Sequence, residues 1–429
     1  MKQDVLIVGA GIAGLALGLA LEQAGRRVQV VDARAPNSAE PAAGEFDQRI
    51  YALGPANVAW LEALRVWGAV DPKRVVPVYD MRVFGDGPGP EGLPGLERLA
   101  QRVRATGLPA LPGLPGGAPW QAEGKGPGGL HLSAYQSGLA ELCWIVEERE
   151  VARVLESAAG FAKNLEIIRP VQAQALRQLD DGVELQLADG RVLSAQLLVA
   201  CDGANSWVRE AAGIGSSVIE YEQTAVVANF RAEKPHHNCA FQWFRHEDEG
   251  SASVLAWLPL PDGQVSMVWS ADDRFADYLQ GLDADLLAAA AAAAGGNALG
   301  AFTSAGNRAG FKLRNLRAKA LIAPRVALAG DAAHVVHPLA GQGLNLGLAD
   351  ARALAAALAG QRDCGARLAL RAYERGRKAA ILEMHALTHG LERLFSATHP
   401  AVRAARNIGL NLTGRLPVLP GLIARHAAR

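Results

Sequence analysis

The chain has 429 residues, half of them apolar, with 43 basic and 43 acidic side chains. That size and composition can bury a full core and suggest two domains. A zero net charge without a basic stripe leaves no footprint for nucleic acid, and Cys143, Cys201, Cys239 and Cys364, scattered without metal-ligand spacing, fit a reducing cytosol and no metal site.

The first stretch, MKQDVLIVGAGIAGLALGLAL, sets a lysine before an apolar run as a signal peptide does, but its glycine spacing and lack of a small-residue cleavage site argue against one. Residues 4–8 read as a buried parallel strand, residues 12–24 as a helix stopped by Gly25, and residues 26–32 as a second strand. Between strand and helix, Gly9, Gly11 and Gly14 form G-x-G-x-x-G. Gly9 permits the tight turn, Gly11 lets backbone approach a pyrophosphate, and Gly14 lets helix and strand pack closely. The helix N-terminus offers free N–H groups and a positive dipole end to phosphates. Asp32, at the end of the second strand, can accept from both ribose hydroxyls of FAD or NAD and disfavours a 2′-phosphate. Arg34 beside it is a further cofactor-binding candidate.

Residues 85–129 are too rich in Gly and Pro for a packed layer and are predicted to be a surface insertion. A helical pattern follows from Ser137 to Ala158. From about 166 to 201, alternation around Asp-Gly turns predicts a hairpin or meander. Asp202-Gly203 then turns toward a ligand crevice, or is an ordinary turn, with Ser206 and Arg209 opening the next helix. Residues 218–270 hold further strand-like runs in an antiparallel-looking region. The alanine run 288–294 is a helix too short to span a bilayer, and no transmembrane segment is expected.

RVALA, from Arg325, reads as another buried strand, which would put Asp331 at a strand C-terminus facing the same crevice, suited to ribityl hydroxyls. Gly341, Gln342, Gly343, Leu344 and Asn345 then open a helix. Its backbone N–H groups could stabilise the negative charge that a flavin ring gains on reduction. Either His334 caps or packs within the loop and His337 orients the turn before Pro338, or both stand, with Pro338, near the reacting edge of the flavin as polar handles. From Ala349 on the chain is alanine-rich and helical, broken only near Pro400 and Pro417. Residues 402–429 mix arginines with Leu, Ile and Val, as either a peripheral membrane-docking helix or one packed on the cofactor domain.

Taken together, the glycine fingerprint, CDGANSWVR and GDAAHVVHPLAGQGLNLGLAD resemble the flavoprotein aromatic hydroxylases with the para-hydroxybenzoate hydroxylase fold, and more narrowly the ubiquinone-biosynthesis hydroxylases. DQRIYAL, WIVEEREV, EGSASVLAWLPL and YERGRKAAILEMHALTHGLERLFS extend the likeness over nearly all the chain except about 85–129. The resemblance implies an α/β fold, with a Rossmann-like FAD-binding domain, an interposed antiparallel β-sheet substrate domain and C-terminal helices. In residues, FAD-binding parts fall at 1–75, 134–212 and 313–360, substrate-domain parts at 76–133 and 213–312, and the helical region at 361–429. It implies non-covalent FAD, NADH or NADPH as donor, and hydroxylation of a polyprenylated phenol by O₂ through a C4a-hydroperoxyflavin. Arg49 and Arg149 would lie at the FAD, and Asp202 would serve both FAD and the nicotinamide donor. Glu148 departs from the family, which usually has Asn there, and a carboxylate near phosphates is awkward unless it points away.

A membrane-soluble substrate would be met at the bilayer surface or through a multiprotein complex, so the expected location is cytoplasmic with peripheral contact at the membrane's inner face. Two other functions stay open: a related hydroxylase of a soluble aromatic, and a FAD-binding assembly component without turnover. Some of Phe230, Phe241, Trp243, Phe244, Leu255, Trp257, Leu258 and Trp269 are expected to line the substrate pocket.

Overall fold

The computed structural model describes residues 2–36, 44–85, 129–246, 252–337 and 341–396. The opening strand, Gln3–Val8, carries an apolar run of which Val5, Leu6 and Ile7 are wholly buried. A strand buried on both faces needs neighbours on both edges, and Gln3–Val8 pairs in parallel with Val28–Val31 on one side and Val192–Ala200 on the other. The helix Ile12–Gln23 makes the crossover, so the βαβ unit forms as the sequence predicts. Leu165–Ile168 extends this sheet beyond Val28–Val31, and Val326–Leu328 extends it beyond Val192–Ala200. Val192–Ala200 also pairs antiparallel with Val183–Leu187, which in turn pairs with Ala173–Gln178, so the predicted meander hangs from the parallel sheet.

A second sheet runs in the order His334–Val335, Phe302–Ala318, Ser216–Ala232, Gln264–Asp272, Ala252–Pro259, Cys239–His246, Asp80–Phe84, Gly129–Ser133. Most of its pairings are antiparallel, which gives the α/β chain its interposed sheet.

Three expectations are corrected. The helix expected from Ser137 begins at Glu148, because Cys143–Glu147 forms the middle strand of a small sheet between Ile50–Leu53 and Val75–Val78. Trp144, Ile145 and Val146 suit a strand, and two partners satisfy its backbone. The stretch from Ala349 expected to stay helical as far as Pro400 is two helices, Gly343–Leu358 and Arg367–Ser396, separated at Gly360, whose φ of 72° no continuing helix permits.

The third correction concerns the aromatic residues of the second sheet. Side chains alternate between faces, and Phe230, Phe241, Trp243, Leu255, Trp257 and Trp269 share one core with the helices Asp273–Gly281 and Ala284–Ala294. They cement the sheet to its outer helices and do not face the cofactor domain. Of the eight expected lining residues, only Phe244 and Leu258 lie on the other face. The Gly/Pro-rich stretch falls almost wholly outside the described residues, as do Pro338 and residues 402–429.

Candidate functional site

The three fingerprint glycines do different work. Gly9 has φ +110°, and a Cβ there would strike the Cys201 carbonyl, while one on Gly14 would strike the Gly9 carbonyl. Around Gly11 a Cβ would meet nothing within 4 Å. Gly9 and Gly14 are thus needed by the fold, and Gly11 keeps space open above the helix N-terminus. That N-terminus has no side-chain cap and no acid in its first turn, so its N–H groups remain available to an anion.

Asp32 is 7% exposed. Its carboxylate accepts from the Ala10 N–H and the Arg34 N–H, each at 2.7 Å, tying the second strand to the glycine loop. The Arg34 side chain is mostly exposed, with its Nε 3.5 Å from Asp32.

These residues line a cleft of about 920 Å³ with Arg49, Glu148, Arg149 and, from the second sheet, Ala309 and Phe311. Glu147, buried beneath it, accepts from the Arg74 side chain and the Asp47 N–H. Arg149 comes only within 3.7 Å of Glu147, and its Nε is buried with no hydrogen-bond partner. A buried donor left unmet is costly, so this arginine is built to receive an acceptor. Arg49 donates to Glu148 at 3.1 Å and lies over the Phe311 ring at 5.3 Å. Glu148 therefore does not point away from the cleft; it pairs with the arginine there.

Asp331 is not among the residues lining that cleft; it follows Val326–Leu328 in a single 3-10 turn and is exposed. Its carboxylate makes no hydrogen bond among the described residues. Desolvation by the surrounding protein raises its pKa, against the opposing pull of His334 and with help from the Glu148 charge. Asp202 is placed otherwise. Its carboxylate accepts from the Ser206 hydroxyl and from the Val208 N–H at 3.0 Å, capping the helix Trp207–Ala211. Burial pushes its carboxyl up. From that helix, buried Arg209 donates to the Ala332 carbonyl at 2.9 Å and braces the Asp331 turn.

Gly341 has φ +60°, Gln342 is the N-cap of Gly343–Leu358 without a side-chain cap, and a Cβ on Gly343 would meet nothing within 4 Å. Gly341 to Leu344 thus leave backbone N–H groups and space. Asn345 is occupied within the protein, accepting from Gly54 N–H and Asn57 Nδ2 at 2.9 Å each and donating to the Ala52 carbonyl at 2.8 Å. It clamps the Ile50–Leu53 strand to the helix, so its side chain has little left for a ligand.

The two histidines separate. His334 is 1% exposed and meets Asp350 at 2.6 Å, while Asp350, wholly buried, also accepts from Arg377 at 2.6 Å and the Gly330 N–H at 3.0 Å. Burial alone would raise the Asp350 carboxyl, but His334 and Arg377 hold it below its ordinary value. His337 faces Gln223 at 3.1 Å, and burial lowers its pKa to about 4, so it is neutral at pH 7. Asp350, Arg377 and Gln223 were not among the sequence candidates. A lone acid in the alanine- and leucine-rich stretch LGLADARALAAAL was the one available sign of Asp350.

The FAD binding domain family matches residues 2–387. Ubiquinone hydroxylase UbiL of Rhodospirillum rubrum is 34% identical over 99% of this chain and 89% of its own. The 3-demethoxyubiquinol 3-hydroxylase of Escherichia coli is 30% identical over 99% and 98%. This chain belongs to the ubiquinone-biosynthesis family of FAD-dependent hydroxylases. It is a FAD-dependent monooxygenase using NAD(P)H and O₂. Solved structures share the fold: p-nitrophenol 4-monooxygenase PnpA of Pseudomonas putida, 21% identical, has a TM-score of 0.72 over 99% of this chain and 98% of its own. PqsL of Pseudomonas aeruginosa, a probable FAD-dependent monooxygenase, has a TM-score of 0.70 at 21% identity, covering 96% and 99%.

In this hydroxylase the inner face of the second sheet continues from the cofactor cleft. Ala309, which lines the cleft, pairs with Val227, then Val268, Ala256 and Gln242 across neighbouring strands. Phe311 likewise leads to Ala225, Ser270, Val254 and Phe244. Neither row contains a lysine or arginine. Val254, Ala256, Leu258 and Val268 are only partly buried, so this face keeps apolar surface open. Among the described residues, no helix is long and apolar enough to cross a membrane.

Proposed function

We propose that this enzyme hydroxylates the ring of a polyprenylated phenol of ubiquinone biosynthesis. The observation that carries this reading is the pair of cross-strand rows running on from Ala309 and Phe311 in the cleft wall, mostly small and apolar and without a lysine or arginine beyond the Arg49 that lies over Phe311. Apolar surface gains about 25 cal/mol per Å² on leaving water, so such a face can receive an isoprenoid from a bilayer. A phenolic acid would need a buried cation beside its carboxylate, because an unpaired buried charge costs several kcal/mol.

FAD, when bound, supplies the hydride acceptor and the oxygen-activating centre. The chain's part is to bind, orient and exclude water. Gly11 and the N–H groups of the first helix hold the pyrophosphate, with Arg49 and Arg149 as its cationic partners. Asp32 and Arg34 take the adenosine end, and Asp331 takes the ribityl hydroxyls. Gly341, Gln342, Gly343 and Leu344 present backbone N–H groups to the flavin ring. His337, neutral and tied to Gln223, orients the ring's edge without adding charge. Asp202 and Asn345 support this arrangement through the backbone they fix. Contact with a membrane surface or a biosynthetic complex would deliver so apolar a substrate.

Asp331→Ala is expected to weaken FAD by about 1.5–3 kcal/mol, the range for a hydrogen bond to a charged group. Because Asp331 has no partner among the described residues, the melting temperature of the FAD-free chain should hardly change. An unchanged dissociation constant in a fluorescence titration would remove the ribityl role.

The substrate is tested by stopped flow. Prenylated phenols in detergent should accelerate NAD(P)H-driven flavin reduction or yield hydroxylated product, and para-hydroxybenzoate should do neither. Coupled hydroxylation of the free acid, with no response to the prenylated phenol, would reverse the assignment.

A further inference from the structure

Glu148 has no duty in the scheme above, yet it occupies the cleft. It stands at the first residue of the helix Glu148–Phe161, and its N–H donates to the Arg49 carbonyl at 2.9 Å. That backbone bond fixes the two residues side by side. Across it the Arg49 guanidinium donates to the Glu148 carboxylate at 3.1 Å, with both side chains lining the cleft and neither fully buried, at 52% and 30% exposed. Phe311 of the second sheet holds the guanidinium from the other side. Arg49, which lines the same cleft as Gly11, is therefore already paired with a carboxylate of the same chain. Arg149, one residue on, is different: its nearest carboxylate is buried Glu147, at 3.7 Å, and its Nε is unmet.

We propose that Glu148 is a built-in competitor of the cofactor's phosphates for Arg49. The inference rests on the pyrophosphate lying between Gly11 and Arg49. Without FAD, the ion pair with Glu148 and the Phe311 ring keep Arg49 in one place. As the pyrophosphate arrives, it must take the guanidinium from Glu148, while Arg149, held only loosely by Glu147 at 3.7 Å, keeps its Nε free to bond it. Glu148 also adds negative charge near Asp331, whose carboxyl it pushes up. The chain thereby carries a brake on its own cofactor affinity, and binding of FAD transfers Arg49 from one anion to another.

The test is a double-mutant cycle read as FAD dissociation constants, by flavin-fluorescence titration of the full chain freed of FAD. Glu148→Gln keeps the shape and removes the charge, and it should tighten FAD by about two- to fivefold, the size expected when a partly exposed ion pair no longer has to be broken. In an Arg49→Gln background the same change should gain little, because no guanidinium is left to release. A Glu148→Gln dissociation constant that stays the same or rises would overturn the proposal, since Glu148 would then be orienting Arg49 for the cofactor. A gain of the same size that persists in the Arg49→Gln background would overturn it as well, by showing direct repulsion between Glu148 and the phosphates. The site assignment itself is checked separately by Gly11→Val, so loss of one reading does not mimic loss of the other.

Discussion

Gly11→Val should leave the protein folded and colourless. Gly11 has φ −77° and ψ 179°, a conformation that valine adopts freely, and a Cβ there meets nothing within 4 Å. The protein therefore has room for the side chain, and the ligand does not. A branched side chain above the helix N-terminus keeps the pyrophosphate from reaching the N–H groups. An affinity loss of at least about a thousandfold is expected, which corresponds to roughly 4 kcal/mol. An absorbance titration showing full FAD occupancy in this variant would mean that the phosphates bind elsewhere. The neighbouring glycines should behave differently. Valine at Gly9 or Gly14 would collide with the Cys201 or Gly9 carbonyl and damage the fold itself.

Asp350→Ala is expected to cost about 3–5 kcal/mol of stability, the range for removing one partner of a buried ion pair. The carboxylate holds three groups at once: His334, Arg377 and the Gly330 N–H. Its loss leaves the partly buried Arg377 guanidinium without its anion and the His334 imidazole without its partner, in a place with 0% exposure at position 350. The same contacts join the Arg367–Ser396 helix to the turn that carries Asp331. FAD binding should therefore weaken together with stability, unlike the Asp331→Ala case. Thermal unfolding with and without saturating FAD separates the two effects. A melting temperature unchanged from the parent chain would show that the network contributes no net stability.

Much of the cofactor half was legible because it is built from local sequence. A buried strand, three glycines, a helix and an acid in one short span can be recognised without knowing what packs on them, since each glycine's need is set by its near neighbours in the chain. Gly341 and Gly343 before a helix are readable for the same reason. The resemblance supplied Arg49 and Arg149, whose types alone would have marked nothing.

The sequence could not say which face of a strand meets the cofactor. Phe230, Trp257 and Trp269 are large and apolar, and either face would bury them. Their direction was decided by the helices Asp273–Gly281 and Ala284–Ala294, which need an apolar partner and took the aromatic face. The smaller residues Val227, Val254, Ala256 and Val268 were left on the opposite face, the one that carries Ala309 and Phe311. Long-range polar pairing was equally hidden. Asp350 and His334 lie sixteen residues apart, Arg49 and Glu148 ninety-nine, and Gln223 and His337 one hundred and fourteen. Residue type shows that such a side chain needs a partner, but only the packed sheets and helices select which one it finds. The sequence alone therefore determined the cofactor fingerprint and the fold class, through short-range patterns of turn, period and charge. The tertiary structure decided which face of the second sheet packs on helices and which ion pairs form, because burial and partnership depend on surfaces brought together from distant parts of the chain.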